Sequence, residues 1–387
     1  MPDFAAVASA IDILTHTPSA WIFVIPGLVI GLVFGAMPGI SITMCMAIFL
    51  PVTLYMDFLP AIIFLTSMYT GAGFGGSVPA VLMNIPGTSS AVATTFDGYP
   101  MARQGRHNEA LGVALCASVV GTLTSYILLF FIIEPVSRIV LRIGPLEMFA
   151  IAVWGMLLLG SLAGDRVSRG LLAGVFGVLL GTIGMNTAGY IRGTMGIPWL
   201  LDGVPVVPAM MGLLAASQLL NLINAQYLIE DEAQRRISLR KILQGLRLAL
   251  TYPFVIFRGA AIGVFVGAIP GVGSSISNLL SYAETKRSAP DGDTFGKGNP
   301  KGVIAAEGAN SSSEGGAMAT MLSLGIPGGG ATAVLLAAFA MHNIVGGPSF
   351  IANQKHIVYA IIFSNFAQAV LLLFVGLGFV YFASYIV

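Results

Sequence analysis

Apolar residues run along this chain in long blocks broken at a few polar points, unlike the one-sided stripes of water-soluble helices and strands. A helix needs about 20 such residues to cross a bilayer core. Ala110–Ile133, Gly144–Gly164, Gly170–Gly189, Val206–Tyr227 and the over-long Ile357–Val387 read as clean membrane helices. Two further regions, from Trp21 to Pro100 and from Tyr252 to Gly347, are apolar but punctuated by Gly, Pro, Ser and Asn. Neither divides into uninterrupted spans. The pattern predicts an all-α polytopic membrane protein with discontinuous helices or re-entrant segments. Its first half covers 1–227, with a broken region at 21–100 and four helices over 110–227. A cytoplasmic linker at 228–250 leads to a second half at 251–387, with a broken region at 252–347 and a helix at 357–387.

Composition supports this class and removes others. Of 387 residues, 56% are hydrophobic and only 9% charged, against about 25% charged in a soluble domain. That is too little polar surface for a cytosolic enzyme, a disordered tail or a secreted disulfide scaffold. Eighteen Lys and Arg against 17 Asp and Glu leave no basic field for nucleic acid. Cys45 and Cys116 lie in apolar stretches without metal spacing and read as small buried hydrophobes. No catalytic cofactor or metal site is expected. The first 20 residues hold Asp3 and Asp12 but no Lys or Arg, so the charged start of a cleavable signal is missing.

Basic residues set orientation. Arg235, Arg236, Arg240, Lys241 and Arg247 place the 230–247 segment in the cytoplasm. The Arg103/Arg106 and Arg166/Arg169 loops then fall on the same side, as does the 286–301 loop. The Arg138/Arg142 loop conflicts, and Glu134–Ile143 is read as a surface-lying amphipathic turn. The N-terminus is expected outside.

The two broken regions resemble each other. Gly31-Leu-Val-Phe-Gly-Ala-Met-Pro38-Gly39-Ile matches Gly263-Val-Phe-Val-Gly-Ala-Ile-Pro270-Gly271-Val, 232 residues on. The stretch from Gly75-Gly76 to Pro86-Gly87 parallels that from Gly315-Gly316 to Pro327-Gly328, 240 to 241 residues on. The charge pattern orients the copies oppositely. Two inverted repeats with interrupted helices mark a secondary transporter, whose site lies where the breaks meet near the midplane. A bundle packed through small residues also accumulates glycine, but it leaves the matched Pro-Gly pairs unexplained. A second copy of equal length would run well past Val387, so the chain is expected to be an incomplete version of a longer one.

A Pro-Gly step ends one half-helix and lets another begin, and its freed groups must face a cavity or protein. Half-helix N-termini suit a carboxylate, and C-terminal carbonyls suit Na⁺. Candidate substrate contacts are therefore Gly39, Ser41, Thr43, Gly76, Ser77, Asn84, Gly87, Thr88, Gly271, Ser274, Ser275, Asn310, Ser311, Ser312 and Gly328. Candidate Na⁺ contacts are Pro38, Gly75, Pro86, Ser313, Glu314 and Pro327. For any single Ser or Thr, a bond to its own helix carbonyl is the alternative. Glu307 and Glu314 are the only acids after Lys301. They serve a cation or proton relay, unless Glu307 sits at the interface paired with Lys301. Asp97-Gly98-Tyr99-Pro100 reads first as a turn. The four histidines are scattered and are given no ligand role.

Gly35-Ala-Met-Pro38-Gly39, Tyr69-Thr-Gly-Ala-Gly-Phe-Gly75-Gly76-Ser77, Asn84-Ile-Pro86-Gly87-Thr88, Asp97-Gly98-Tyr99-Pro100 and Gly325-Ile-Pro327-Gly328 give the chain its resemblance to a known family. It resembles the large membrane subunit of the tripartite tricarboxylate transporters, the TctA type. The resemblance implies a bacterial inner-membrane carrier importing carboxylates of the tricarboxylate or dicarboxylate class, commonly with Na⁺. It also implies two partners: a small four-helix membrane subunit of the TctB type and a periplasmic substrate-binding protein of the TctC type.

Coupling to a cation is expected on physical grounds as well. Moving an anion inward against a negative interior costs about 2.3 kcal/mol per charge per 100 mV, which bound Na⁺ offsets. The absence of GxxxxGK[ST] argues against ATP-driven transport. Two rivals stand: an intramembrane hydrolase with Ser77 or Ser313 as nucleophile, which needs a nearby His base, and a transport-inert scaffold.

Overall fold

The computed structural model describes residues 3–140, 146, 150, 167–185, 190–201, 203–204, 238–269 and 272–383. Contacts group the chain into two compact units, Met1–Gly144 with Gln226–Val387, and Pro145–Ala225. Among the described residues the regular secondary structure is helical apart from one two-residue strand pair. In chain order the helices are α1 (Phe4–His16), α2 (Pro18–Ile22), α3 (Val24–Gly35), α4 (Ile42–Phe49), α5 (Phe58–Gly75), α6 (Ser77–Met83), α7 (Val92–Met101) and α8 (His107–Val140). Then follow α9 (Val167–Gly181), α10 (Leu239–Leu250), α11 (Pro253–Gly267), α12 (Gly273–Ser288), α13 (Pro300–Leu324), α14 (Gly330–Met341), α15 (Pro348–Asn353) and α16 (Lys355–Ala383).

Among the described residues four helical stretches are long and apolar enough to cross a membrane: Pro18–Gly35, Phe58–Met83, Ser89–Pro135 and Lys355–Phe382. The pair α10 and α11, bent by 77°, makes a fifth if counted as one span. The expected spans Ala110–Ile133 and Ile357–Val387 fall within α8 and α16, although α16 is described only to Ala383. Gly144–Gly164 and Val206–Tyr227 lie outside the described residues, two isolated positions apart.

Within the second unit the expected span Gly170–Gly189 is corrected. Helix α9 stops at Gly181, where the Thr182 hydroxyl bonds back to Leu179 O. The chain then turns through Gly184, at φ 121°, into an antiparallel pair of Gly184–Met185 with Ile191–Arg192.

The centre of the main unit is α13. Pro300 occupies its first turn, the Asn299 side chain caps it through Lys301 N, and Gly325 ends it in the left-handed region at φ 69°. Every residue from Gly302 to Ser323 is buried, two glutamates included. A helix this polar cannot face lipid; it is enclosed by α5, α7, α8, α11 and α12.

Helix α3 meets α5, and α11 meets α13, along glycine stripes that bring backbone against backbone. A methyl group on Gly27, Gly31 or Gly35 would collide with the carbonyl oxygens of Phe64, Met68 and Ala72. On Gly259, Gly263 or Gly267 it would press on those of Ala305, Ala309 and Ser313. These contacts correspond one for one, 232 residues on along the glycine helix and 241 along its partner. The breaks after them match too: Gly87 lies over Gly35 O and Gly76, and Gly328 over Gly267 O and Ala317.

Four local expectations are corrected. The Asp97–Pro100 segment belongs to α7, and the chain turns later, at Gly105 with φ 75°. Glu134 is no surface group: α8 continues through Pro135 to Val140, and buried Glu134 pairs with Lys355 at 2.8 Å. The Asn310–Gly316 stretch is not a break but the middle of α13, where Gly316 admits Val264 O and Gly315 admits Ser125. Lys301 does not reach Glu307; it pairs with Asp291 at 2.8 Å, and this holds the Asp291 carboxyl below its usual range.

Candidate functional site

Four of the interruptions in the main unit carry the Pro-Gly motifs. Between α3 and α4, Pro38 and Gly39 form a loop with Gly39 at φ 91°, and Ser41 caps α4 by accepting from Met44 N at 3.0 Å. After α6, Asn84 takes the left-handed conformation at φ 57°, the equivalent of Gly325 after α13. Ile85 N then returns to Pro79 O, and Gly87 N to Gly76 O at 3.0 Å, so Pro86 and Gly87 fold back onto the α5–α6 joint at Gly75-Gly76. Between α11 and α12 the turn begins at Ala268, whose carbonyl accepts from Thr320 Oγ1 at 2.5 Å. Pro270 and Gly271 lie outside the described residues. After α13, residues Gly325 to Gly329 carry Pro327 and Gly328, and Thr332 caps α14 through Gly329 N at 3.0 Å.

The breaks meet across the two halves of the sequence. Ser89 Oγ lies 2.8 Å from Ser275 Oγ. Asn278 Nδ2 donates to Ser90 O, while Thr88 and Ser90 share a hydrogen bond at 3.0 Å. On the other side Gly330 is packed against the side chain of Thr43, and its neighbour Gly329 faces Gly273. By the offsets of the glycine stripes, Ser275 is the counterpart of Thr43 and Gly330 that of Ser89. The two contacts are thus the same contact with the halves exchanged.

Beside these breaks lies a buried polar cluster on α13. Glu307 accepts from Thr94 Oγ1 on α7 and from Ser118 Oγ on α8 at 3.0 Å. Ser77 and Asn310 stand next to the same carboxyl. Two turns further along the helix, Glu314 Oε1 accepts from Tyr126 OH at 2.6 Å and from Thr70 Oγ1 at 2.8 Å. Asn310 Nδ2 reaches Gly73 O at 3.0 Å. Neither glutamate has a basic partner among the described residues.

Several remaining candidates bond within their own helices or loops. Ser312 and Ser313 donate to Ala309 O and Asn310 O in their own helix, and Ser274 O accepts from Ser277 Oγ. Ser311 is buried on α13. Asn84 is exposed and acts as a cap. Asp97 is buried and structural: its Oδ1 accepts from the backbone N–H groups of Gly296, Gly298 and Asn299 at 2.8 to 2.9 Å, and its Oδ2 accepts from Tyr282 OH at 2.9 Å. It ties the loop before α13 to α7.

Sequence reasoning passed over Thr70, Thr94, Ser118 and Tyr126. A signal existed in α8. Ser118, Thr122, Ser125 and Tyr126 fall on one helix face, all at most 1% exposed, inside a stretch read only as an apolar span.

An enclosed polar helix, surrounded by membrane-length helices and flanked by interrupted segments, defines a multi-pass α-helical membrane protein. Comparison with known proteins carries this further. The signature of the "Tripartite tricarboxylate transporter TctA family" matches residues 21–387, and the chain belongs to that family. It is a subunit of a membrane transporter and not an enzyme. It is similar to an "Uncharacterized 52.8 kDa protein in TAR-I ttuC' 3'region" of Agrobacterium vitis, with 32% identity over 371 residues, covering 94% of this chain and 72% of that protein. An "Uncharacterized protein in TAR-II ttuC' 3'region" of the same organism is 30% identical over 115 residues, covering 30% of this chain and 48% of the other. No solved structure matches.

Proposed function

We propose that this subunit carries small carboxylates, of the tricarboxylate or dicarboxylate class, into the cell by Na⁺ symport with alternating access. In this reading the segments 1–227 and 251–387 are inverted repeats joined by the linker at 228–250, and the breaks between them hold the substrate. The observation that carries it is the exchanged contact pair, Ser89 with Ser275 and Gly330 with Thr43. Reciprocal contacts of this kind are what a pseudo-two-fold axis between repeats produces. The axis would bring four breaks, two from each repeat, to one place.

Backbone N–H groups and hydroxyls around Gly39, Gly87, Gly271 and Gly328 then bind the carboxylates without a buried Lys or Arg. The family name supports a transporter of three parts; the reading completes it with a bacterial inner-membrane location, a small TctB-type membrane subunit, and a periplasmic TctC-type protein that delivers substrate. The hydrolase alternative gains nothing from the geometry. Among the described residues no His bonds to Ser77 or Ser313; His107 bonds to Asn108, and His342 packs edge-to-face against Phe58.

Uptake of a radiolabelled carboxylate panel by vesicles holding the assembled transporter, with and without a Na⁺ gradient, tests the reading. Gly39→Leu and Gly271→Leu are expected to abolish uptake while membrane insertion persists. Normal uptake in both would remove the breaks from the mechanism, and no uptake of any carboxylate by the assembled wild type would leave a scaffold.

A further inference from the structure

A buried carboxylate without a cation is expensive. The effective penalty of taking such an ion out of water is several kcal/mol even after relaxation. Glu307 is wholly buried and its hydrogen-bond partners are neutral. Four other side chains converge on it from different helices. Thr94 comes from α7, Ser118 from α8, Ser77 from the start of α6, and Asn310 from one turn further along α13. Each carries an oxygen, and none brings a charge.

Ser77 is the informative member. It is fully buried, its hydroxyl completes no hydrogen bond of regular geometry, and it stands against the Glu307 carboxyl. Buried hydroxyls normally find a partner, and the neighbour of this one is the Glu307 carboxyl. Glu314 differs: one of its oxygens already accepts from both Tyr126 and Thr70.

We infer that Glu307, with Ser77, Thr94, Ser118 and Asn310, is a binding site for one dehydrated Na⁺ ion. One carboxylate balances one positive charge, which selects a monovalent ion over a divalent one. An all-oxygen shell suits hard cations and offers nothing to softer metals. The hydroxyls rotate to turn lone pairs toward the ion, and the ion cancels the charge that α13 otherwise buries. Thr94, Ser118 and Ser77 belong to the first half of the sequence and Glu307 to the second, so an ion here clamps the two together. This deepens the carrier reading by assigning the coupling ion to a residue, and rests on that reading only for the ion's purpose.

The test uses the full chain, purified and reconstituted in nanodiscs without substrate. Thermal unfolding and ²²Na⁺ binding are followed as NaCl replaces choline chloride or KCl at constant ionic strength, at neutral and mildly acidic pH. A ligand bound only by the folded state raises the melting temperature with its concentration. The wild type is expected to show a Na⁺-specific rise. Glu307→Gln should lose it, Ser77→Ala and Ser118→Ala should raise the half-saturating Na⁺ concentration about tenfold or more, and the surface variant Glu284→Gln should keep it. Should Glu307→Gln fail to fold, the two serine variants carry the test.

Three results overturn the site: an unchanged response in Glu307→Gln and both serine variants, a response lost in Glu314→Gln but kept in Glu307→Gln, or stabilisation by acid alone with no Na⁺ effect. Na⁺ binding at Glu307 without carboxylate uptake would sink the carrier reading and spare this site. Na⁺-driven uptake with unaltered Na⁺ affinity in Glu307→Gln would do the reverse.

Discussion

Asp97 shows how a single side chain can be legible as unusual and still be misread. An acid in an apolar region stands out in the sequence, and the adjoining Gly-Tyr-Pro suggests a turn. Its job depends on three amides about 200 positions away, at Gly296, Gly298 and Asn299, which no local pattern announces. Asp97→Ala leaves those N–H groups without their acceptor, and buried unsatisfied groups cost about 1–3 kcal/mol each. The variant is therefore expected to lose about 3 kcal/mol or more of stability, read as a lowered melting temperature of the purified protein. Asp97→Asn, which keeps one acceptor oxygen, should fall between it and the wild type. Glu307 was visible for the same reason as Asp97, as a rare acid. Its partners were not, because a Thr or Ser inside a membrane helix is usually satisfied by its own backbone, as Ser312 and Ser313 are.

At the level of helices, the long apolar stretches of α8 and α16 could be read from composition because lipid demands them. Helix α13 could not. Its glycines, serines and asparagine look like a break to any rule based on exposure to lipid, yet it is continuous because other helices cover every side. The Pro-Gly motifs, which remove backbone bonds outright, were the sounder guide to where helices end. The glycine stripes give a direct test. A side chain on Gly31 would meet the backbone of Met68 and Ala72, whereas a methyl on Gly378 of α16 would meet nothing within 4 Å. Gly31→Leu and Gly263→Leu are expected to abolish folded, monodisperse protein in size-exclusion chromatography. Gly378→Ala should be neutral, or stabilising by up to about 1 kcal/mol through helix propensity.

Across the main unit, matched motifs were enough to suggest that the two halves of the sequence share a plan. They could not say which break touches which, since that depends on how the halves are set against each other. The Ser89–Ser275 pair makes the question experimental. Replacing both with Cys places two thiols where the hydroxyls are 2.8 Å apart, within reach of the short S–S bond, while native Cys45 and Cys116 are buried. Oxidation is expected to close the bridge and arrest uptake, and reduction to restore it; uptake that persists with the bridge formed would mean that this seam never opens. The glycine stripes foretell what is left free to move. With carbonyl oxygens seated directly on glycine α-carbons, the backbones of α3 and α5, and of α11 and α13, are in direct contact and have little room to slip or repack. Each couple is in effect a single rigid plank, and any opening and shutting must be hinged along the softer, serine-lined joints between planks.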